Sequence, residues 1–239
     1  MTRRRWIADE SSESRAALTG EHARHLSQVL RAQIGQEFDI STGAEVRRGK
    51  VSSVHPDRVE FDLGVVVDRS SPTPITVALS IFKFDRMEWA IEKCTELGAS
   101  SIIPVIAART ESHLAAAAEK RVERWRRITK QASEQSRRVA PPNVSAPIKL
   151  KQLLGMPADL RLVLSETERN LMLMEVDPRD ATSALLAIGP EGGWEEQEVA
   201  AFQAAGWTSA SLGPTILRTE TASIAALAIT AMMLNSNNR

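Results

Sequence analysis

Short apolar runs alternate with helix-patterned segments over the later two-thirds of the chain, and no other feature restricts the fold as strongly. Residues 75–81, 101–106, 160–164, 184–188 and 209–212 each read as a strand, with helical segments between or after them. A strand without a polar face needs cover on both sides, which a parallel sheet with crossover helices provides. The spacing of Met87, Ala90, Ile91, Cys94 and Leu97 predicts a helix ending at Gly98, a residue suited to the left-handed stop. A longer helix is predicted over 119–138, and Trp89 and Trp125 are expected in the core. The fold class is α/β.

The first seventy residues or so have a different rhythm. Glu37-Phe38-Asp39-Ile40-Ser41 alternates polar and apolar, and Thr42-Gly43 then offers a turn. Residues 51–54 and 58–63 have the same short-strand character, which implies a small β-barrel-like domain. One short helix is predicted over 20–31, with His25, Leu26, Val29 and Leu30 on one face and His25 in a packing role. Residues 67–74 carry two prolines and two serines without an apolar period and read as a linker, so domains are expected over 1–70 and 74–239.

Composition excludes several classes. The 30 basic residues cancel the 30 acidic ones, so binding to nucleic acid must rest on local patches. Cys94 stands alone, and His22, His25, His55 and His113 are scattered without metal-ligand spacing. Neither a disulfide framework nor a metal site is expected. No apolar signal core follows the basic start, and the greasy stretch 222–234 is shorter than a membrane span, so the expectation is a soluble cytoplasmic protein without membrane contact.

Two stretches carry chemistry. In Ala187-Ile188-Gly189-Pro190-Glu191-Gly192-Gly193-Trp194-Glu195-Glu196-Gln197-Glu198 a buried strand gives way to a glycine-rich turn and an acid-rich helix. Glycines there allow a ligand to approach the backbone closely, and acids in the first turn suit the helix dipole. Neither the dinucleotide fingerprint nor the phosphate-cradling loop ending in Gly-Lys-Ser/Thr is present. In Ser211-Leu212-Gly213-Pro214-Thr215-Ile216-Leu217-Arg218-Thr219-Glu220-Thr221-Ala222 a strand ends in a Gly-Pro loop, and a helix opens near Thr219 or Thr221. That helix is apolar almost all round (Ile224, Ala225, Leu227, Ala228, Ile229, Met232, Met233, Leu234), so it must be buried in the core or against a second subunit. The plain alternative for both stretches is structural, an ordinary turn and an ordinary capped helix.

Together with His25-Leu-Ser-Gln-Val-Leu-Arg31, Met87-Glu-Trp-Ala-Ile-Glu-Lys-Cys-Thr-Glu-Leu-Gly98 and Glu134-Gln-Ser-Arg137, these stretches resemble the RsmE family of 16S rRNA uridine-N3 methyltransferases in the SPOUT superfamily. The similarity runs in order along nearly the whole chain. It implies a PUA-like RNA-binding β-barrel, then a SPOUT domain whose C-terminal segment threads a trefoil knot, which would be a rare exception to unknotted topology. It also implies S-adenosyl-L-methionine as methyl donor, 16S rRNA or the small ribosomal subunit as partner, and a homodimer. Mapped by motif, the donor would be held by Leu164, Ser165, Gly189, Pro190, Glu191, Gly192, Leu212, Gly213, Ile216 and Leu217. The family's first loop often has proline before the glutamate; Ser165 stands here instead.

For the transfer, Arg218 is the candidate cation stabilising a uracil anion, and Glu191 or Glu220 the candidate proton acceptor. Buried glutamates beside backbone amides also serve structurally. Between 119 and 138 eight basic residues face three acidic ones. Arg4, Arg24, Arg31, Arg127, Arg137 and Arg138 are the candidate RNA contacts, and a solvated helix face is the bland alternative for each.

Overall fold

The computed structural model of the chain describes residues 5–69 and 73–237. They form two compact units, one of residues 5–69 with Ser133–Pro141, the other of residues 73–132 and 142–237. The sequence-based division at 70–74 leaves Ser133–Pro141 with the second region, because nothing in its composition marks a return to the first.

The first unit is a six-stranded sheet in the order β1-β4-β5-β6-β3-β2. Its strands are β1 (Arg5–Ile7), β2 (Glu10–Ser11), β3 (Arg15–Thr19), β4 (Glu37–Ser41), β5 (Val46–His55) and β6 (Arg58–Asp68). β1 runs parallel to β4, and the other pairs are antiparallel. Register shifts along β5 and β6 bend the ladder, and the sheet curls into a half-barrel. Alternate residues Phe38, Ile40, Val51, Val59 and Phe61 fill its concave core with Trp6, Leu18 and Leu26. Over 20–31 the chain forms α1 (Gly20–Arg24) and then a π-helical turn, His25–Val29. The wider turn rotates the expected apolar face, so Leu26 is buried while Val29 and Leu30 are exposed. His25 packs against Trp6 at 5.8 Å between ring centroids.

The second unit is a seven-stranded parallel sheet. Its strands are β7 (Ile75–Ser80), β8 (Ser101–Ile106), β9 (Asn143–Val144), β10 (Ile148–Lys149), β11 (Leu160–Leu164), β12 (Ala184–Ile188) and β13 (Thr208–Ala210). Six of them run β10-β8-β7-β12-β11-β13, and β9 pairs with β8 off that path. The apolar runs read from sequence all appear here; β9 and β10 are two-residue strands too short to leave a pattern.

Helices cover both faces. α2 (Phe84–Glu96) ends where Gly98 adopts φ 101, and buries Met87, Ala90, Ile91 and Cys94. Trp89 sits two positions from Met87 and from Ile91, hence on the other side of the helix, and is 46% exposed. Trp125 is fully buried, as its spacing predicts. The single helix predicted over 119–138 is instead α3 (Ser112–Ala118), a 3-10 turn (Glu119–Arg121) and α4 (Val122–Gln135). Shortly beyond α4, Arg137 takes a left-handed φ of 59. α5 (Leu150–Leu154), α6 (Glu196–Ala204) and α7 (Thr219–Asn237) complete the set. α7 packs on α2, β7 and β12, burying Ser223, Ala226, Leu227, Thr230 and Leu234. On its other side Ile224, Ala225 and Ala228 are half-buried, and Met232 is 72% exposed.

On the face away from α7, Phe202 of α6 lies edge-on between Trp194 and Trp207, 5.0 Å from each ring centroid. Both indoles donate to strand-end or helix-end carbonyls: Trp194 Nε1 to Leu164 at 3.1 Å and Trp207 Nε1 to Leu154 at 3.3 Å. Phe202→Ala should therefore cost about 3–5 kcal/mol of stability, as deleting a buried aromatic ring does, and urea unfolding would measure it. Complete burial pushes the Cys94 thiol up to about 12. The native protein should resist iodoacetamide at mildly alkaline pH and react once urea unfolds it.

Candidate active site

The loops that follow β11, β12 and β13 leave the sheet at one carboxyl edge, where open parallel sheets place their ligand crevices. They enclose a cavity of about 590 Å³ with walls from Leu164, Ser165, Gly189, Pro190, Leu212, Gly213, Ile216 and Leu217. Glu166 and Arg169 add charge at one side, and Ile188, Thr219 and Ala222 close the floor. Ile216 stands 84% exposed at the rim.

Main-chain bonds fasten these loops to one another. Ser165 N–H donates to Ala210 O at 3.1 Å, Leu173 N–H to Ser211 O at 2.8 Å, and Ser211 N–H to Leu171 O at 2.9 Å. The Ser211 hydroxyl accepts the Gly213 N–H at 3.1 Å. The glycine-rich turn is shaped by close approach. Gly193 has φ 69, and a Cβ there would stand 1.9 Å from Glu166 Oε1. A Cβ at Gly189 would stand 3.2 Å from the Trp194 indole nitrogen. Gly192 is different: it is exposed, its carbonyl accepts Arg109 Nη1 at 2.5 Å, and it lines neither this cavity nor the next. Glu198, buried at the start of α6, accepts from the Glu195 and Ala108 amides at 2.9 and 2.8 Å. That acid of the motif is spent on capping.

A second space of about 670 Å³ adjoins the first and shares Glu166, Pro190, Ile216, Leu217 and Thr219 with it. Glu191, Gly193, Arg218 and Arg86 complete its wall. Arg218 is exposed, although the sequence places it at the mouth of an apolar helix; its carbonyl accepts the Ala222 amide at 2.8 Å and so starts α7. Among the described residues no carboxylate lies within ion-pair distance of it. Glu220 is buried, 7% exposed, and lines neither space.

Arg86 is the member that sequence reasoning misses. It sits in the opening turn of α2, donates from Nη1 to Glu191 Oε1 at 2.6 Å and brings Nε to 4.0 Å from Glu220 Oε1. Its stretch, Phe82-Lys83-Phe84-Asp85-Arg86, has no glycine and no motif to mark it. The signal that finds it is topological, because β7 and β12 are neighbours in the sheet.

Of the candidate RNA contacts, Arg4 lies outside the described residues. Arg24, Arg31, Arg127 and Arg137 are exposed. Arg138 is half-buried, with Nε donating to Ala140 O at 3.3 Å, and loss of water lowers its guanidinium from its ordinary value. Others in the basic run are spent inside the fold. Arg124 and Arg121 pair with Glu88 at 2.7 and 3.6 Å, and Arg126 donates to Val144 O at 3.0 Å. Among the described residues no helix is long and apolar enough to cross a membrane, and no three His, Cys, Asp or Glu side chains gather to hold a metal ion.

An open parallel sheet with a loop-lined cavity at its carboxyl edge defines a ligand-binding α/β domain. The family described as RNA methyltransferase domain matches residues 69–231. Ribosomal RNA small subunit methyltransferase E of Bacillus subtilis is 34% identical over 88% of this chain and 87% of its own length. The Synechocystis protein of that name is 32% identical over 94% and 75%. A crystal structure of ribosomal RNA small subunit methyltransferase E from Neisseria gonorrhoeae bound to S-adenosyl methionine superposes with a TM-score of 0.85 at 32% identity, covering 97% of this chain and 98% of that one. The chain belongs to the ribosomal RNA small subunit methyltransferase E family of RNA methyltransferases.

Gly193→Ala should lower stability by at least about 1–2 kcal/mol, since left-handed backbone alone costs an L-residue that much and Glu166 must also move. Gly192→Ala, meeting only the flexible Arg109 side chain, should stay within about 0.5 kcal/mol of the parent. Thermal unfolding of the two variants side by side checks both.

Proposed function

We propose that this chain transfers a methyl group from S-adenosyl-L-methionine to N3 of a uridine in 16S ribosomal RNA of the small subunit. The observation that carries the reading is the convergence of the three loops on one cavity that opens beside a charged second space. Relatives across the whole chain length carry the small-subunit methyltransferase name, and one is bound to that donor.

The cavity suits the donor. Its apolar walls, Leu164, Leu212 and Leu217, suit an adenine ring, and Gly189, Pro190 and Gly213 bring backbone groups close to the ligand. Glu166 offers a carboxylate to the cationic end. The donor supplies an activated methyl group; the protein supplies alignment and charge. Uracil N3 lies on the pairing edge, so the target base must be unpaired or flipped out. Arg218, exposed in the second space, is the cation for the charge that develops on the uracil oxygens. Glu191 or Glu220 accepts the proton.

The same reading assigns the first unit, with a boundary at 70–74, to RNA binding as a PUA-like barrel. Arg4, Arg24, Arg31, Arg127, Arg137 and Arg138 would neutralise phosphates. The strand order β12-β11-β13, with loops bonded across it, supports a C-terminal trefoil knot. The apolar, half-buried side of α7 around Ala225 and Ala228 supports a homodimer. Work on ribosomal RNA supports a cytoplasmic location.

Nucleoside mass spectrometry of 16S rRNA or small subunits incubated with protein and donor should show 3-methyluridine; a ribose-methylated product, or none, overturns the reading. Arg218→Ala should leave donor affinity by calorimetry nearly unchanged and slow single-turnover methylation by roughly two to three orders of magnitude, the usual effect of losing one transition-state donor. Arg218→Lys should recover only part of the rate, since an ammonium lacks the planar fork.

A further inference from the structure

Arg86 stands between two carboxylates that differ in everything but chemistry. Glu191 lines the second space, a third of its side chain open, and one oxygen is held by Arg86 at 2.6 Å. Glu220 is nine-tenths buried behind it, with Oε1 4.0 Å from Arg86 Nε and Oε2 without a hydrogen-bond partner. A proton acceptor must reach the atom it deprotonates, and only Glu191 has that reach. A buried carboxylate with an unsatisfied oxygen is costly unless a cation stands beside it, and among the described residues the Arg86 guanidinium is the one within 4.0 Å.

We propose that Arg86 is a positioning residue for methyl transfer: Glu220 anchors its guanidinium from the buried side, and the guanidinium holds Glu191 at the cavity wall as acceptor of the departing proton. This rests on the proposed function and chooses between the two glutamates it leaves open. As the N3–C bond forms, the donor's S–C bond breaks with its electron pair going to sulfur, so N3 must lose its proton. Glu191 takes that proton on the oxygen Arg86 leaves free and passes it to water, to which its side chain is open. Arg218, exposed across the same space and with no carboxylate at ion-pair distance among the described residues, remains the cation available to the base. One guanidinium is thereby committed to a protein carboxylate and the other to substrate.

The test is single-turnover methylation of 16S rRNA by full-length variants over a range of pH, with donor affinity measured separately by calorimetry. Glu191→Gln should slow transfer about a hundredfold or more, the usual worth of a positioned base. Its rate should then climb steadily with pH as hydroxide substitutes, with donor affinity unchanged. Arg86→Ala and Glu220→Gln should each slow transfer by roughly tenfold or more while keeping the parent's pH-dependence in form, and Arg86→Lys should recover part of the loss. The proposal is overturned if Glu220→Gln acquires the hydroxide-dependent profile while Glu191→Gln keeps the parent's. It is overturned equally if Arg86→Ala transfers at the parent rate. A parent protein that methylates no uridine N3 would instead remove the reading on which it rests, so the two failures are told apart.

Discussion

The Trp194 indole bound to the Leu164 carbonyl holds the cavity together. That carbonyl lies at the end of β11 and the indole in the loop after β12, so one hydrogen bond ties two of the three loops where no strand pairing remains to do so. A Cβ at Gly189, against which the same ring lies, would stand 3.2 Å from the indole nitrogen, so the ring would have to give by a few tenths of an ångström. Phe202 fixes the ring's other side and Trp207 fixes Phe202. Packing on a face remote from α7 therefore sets the position of Pro190 and Glu191. A loss of aromatic packing there would reach the site without touching any residue in it, because close-packed interiors transmit displacement.

The third loop is tied by main chain instead. Residues 171–173 and Ser211 exchange N–H and carbonyl groups as a short strand pair would, and Ser165 is held to Ala210. The two means of fastening have different consequences. Backbone pairing tolerates many side chains, so Met172 and Leu212 need only be of suitable size. The indole bond and the left-handed turn at Gly193 tolerate almost none. The Gly-Pro-Glu-Gly-Gly-Trp stretch is legible in sequence for that reason, and the loop around Ser165 is not.

The apolar runs announced the parallel sheet because a strand covered on both faces has no freedom in composition. The half-barrel announced itself through alternation at 37–41 and 58–63 for the same physical reason. What stayed hidden depended on partners distant in sequence. Ser133–Pro141 joins the first unit through contacts such as Glu134 with His22 at 3.4 Å, which no local pattern encodes. Trp89 lies off the buried face of α2 by its phase, which its aromatic character alone does not reveal. The basic run at 119–138 overstated the free charge, since Glu88, well upstream, takes two of its arginines. At the cavity, residues on the glycine-rich loops were visible and Arg86 was not. A loop motif constrains its own backbone, whereas Arg86 is constrained only by what β7 and β12 bring together.

Charge at the site follows the same economy as charge in the whole chain, where 30 basic residues meet 30 acidic ones. Glu166, Glu191 and Glu220 stand near Arg86, Arg169 and Arg218, three of each sign. A strongly anionic pocket would hold a cationic donor well and repel RNA; a strongly cationic one would do the reverse. Balance lets both approach, provided the charges are separated by position. Glu166 lines both spaces, a carboxylate that the proposed function offers to a sulfonium. Arg86 is neutralised by the glutamates on either side of it. Among the described residues Arg218 lines the second space with no carboxylate at ion-pair distance, so under the proposed function an anion developing there would meet an unclaimed cation. Under that proposed reading the field would be directed at the transition state more than at either ground-state ligand, which is the condition for lowering a barrier and not merely tightening binding.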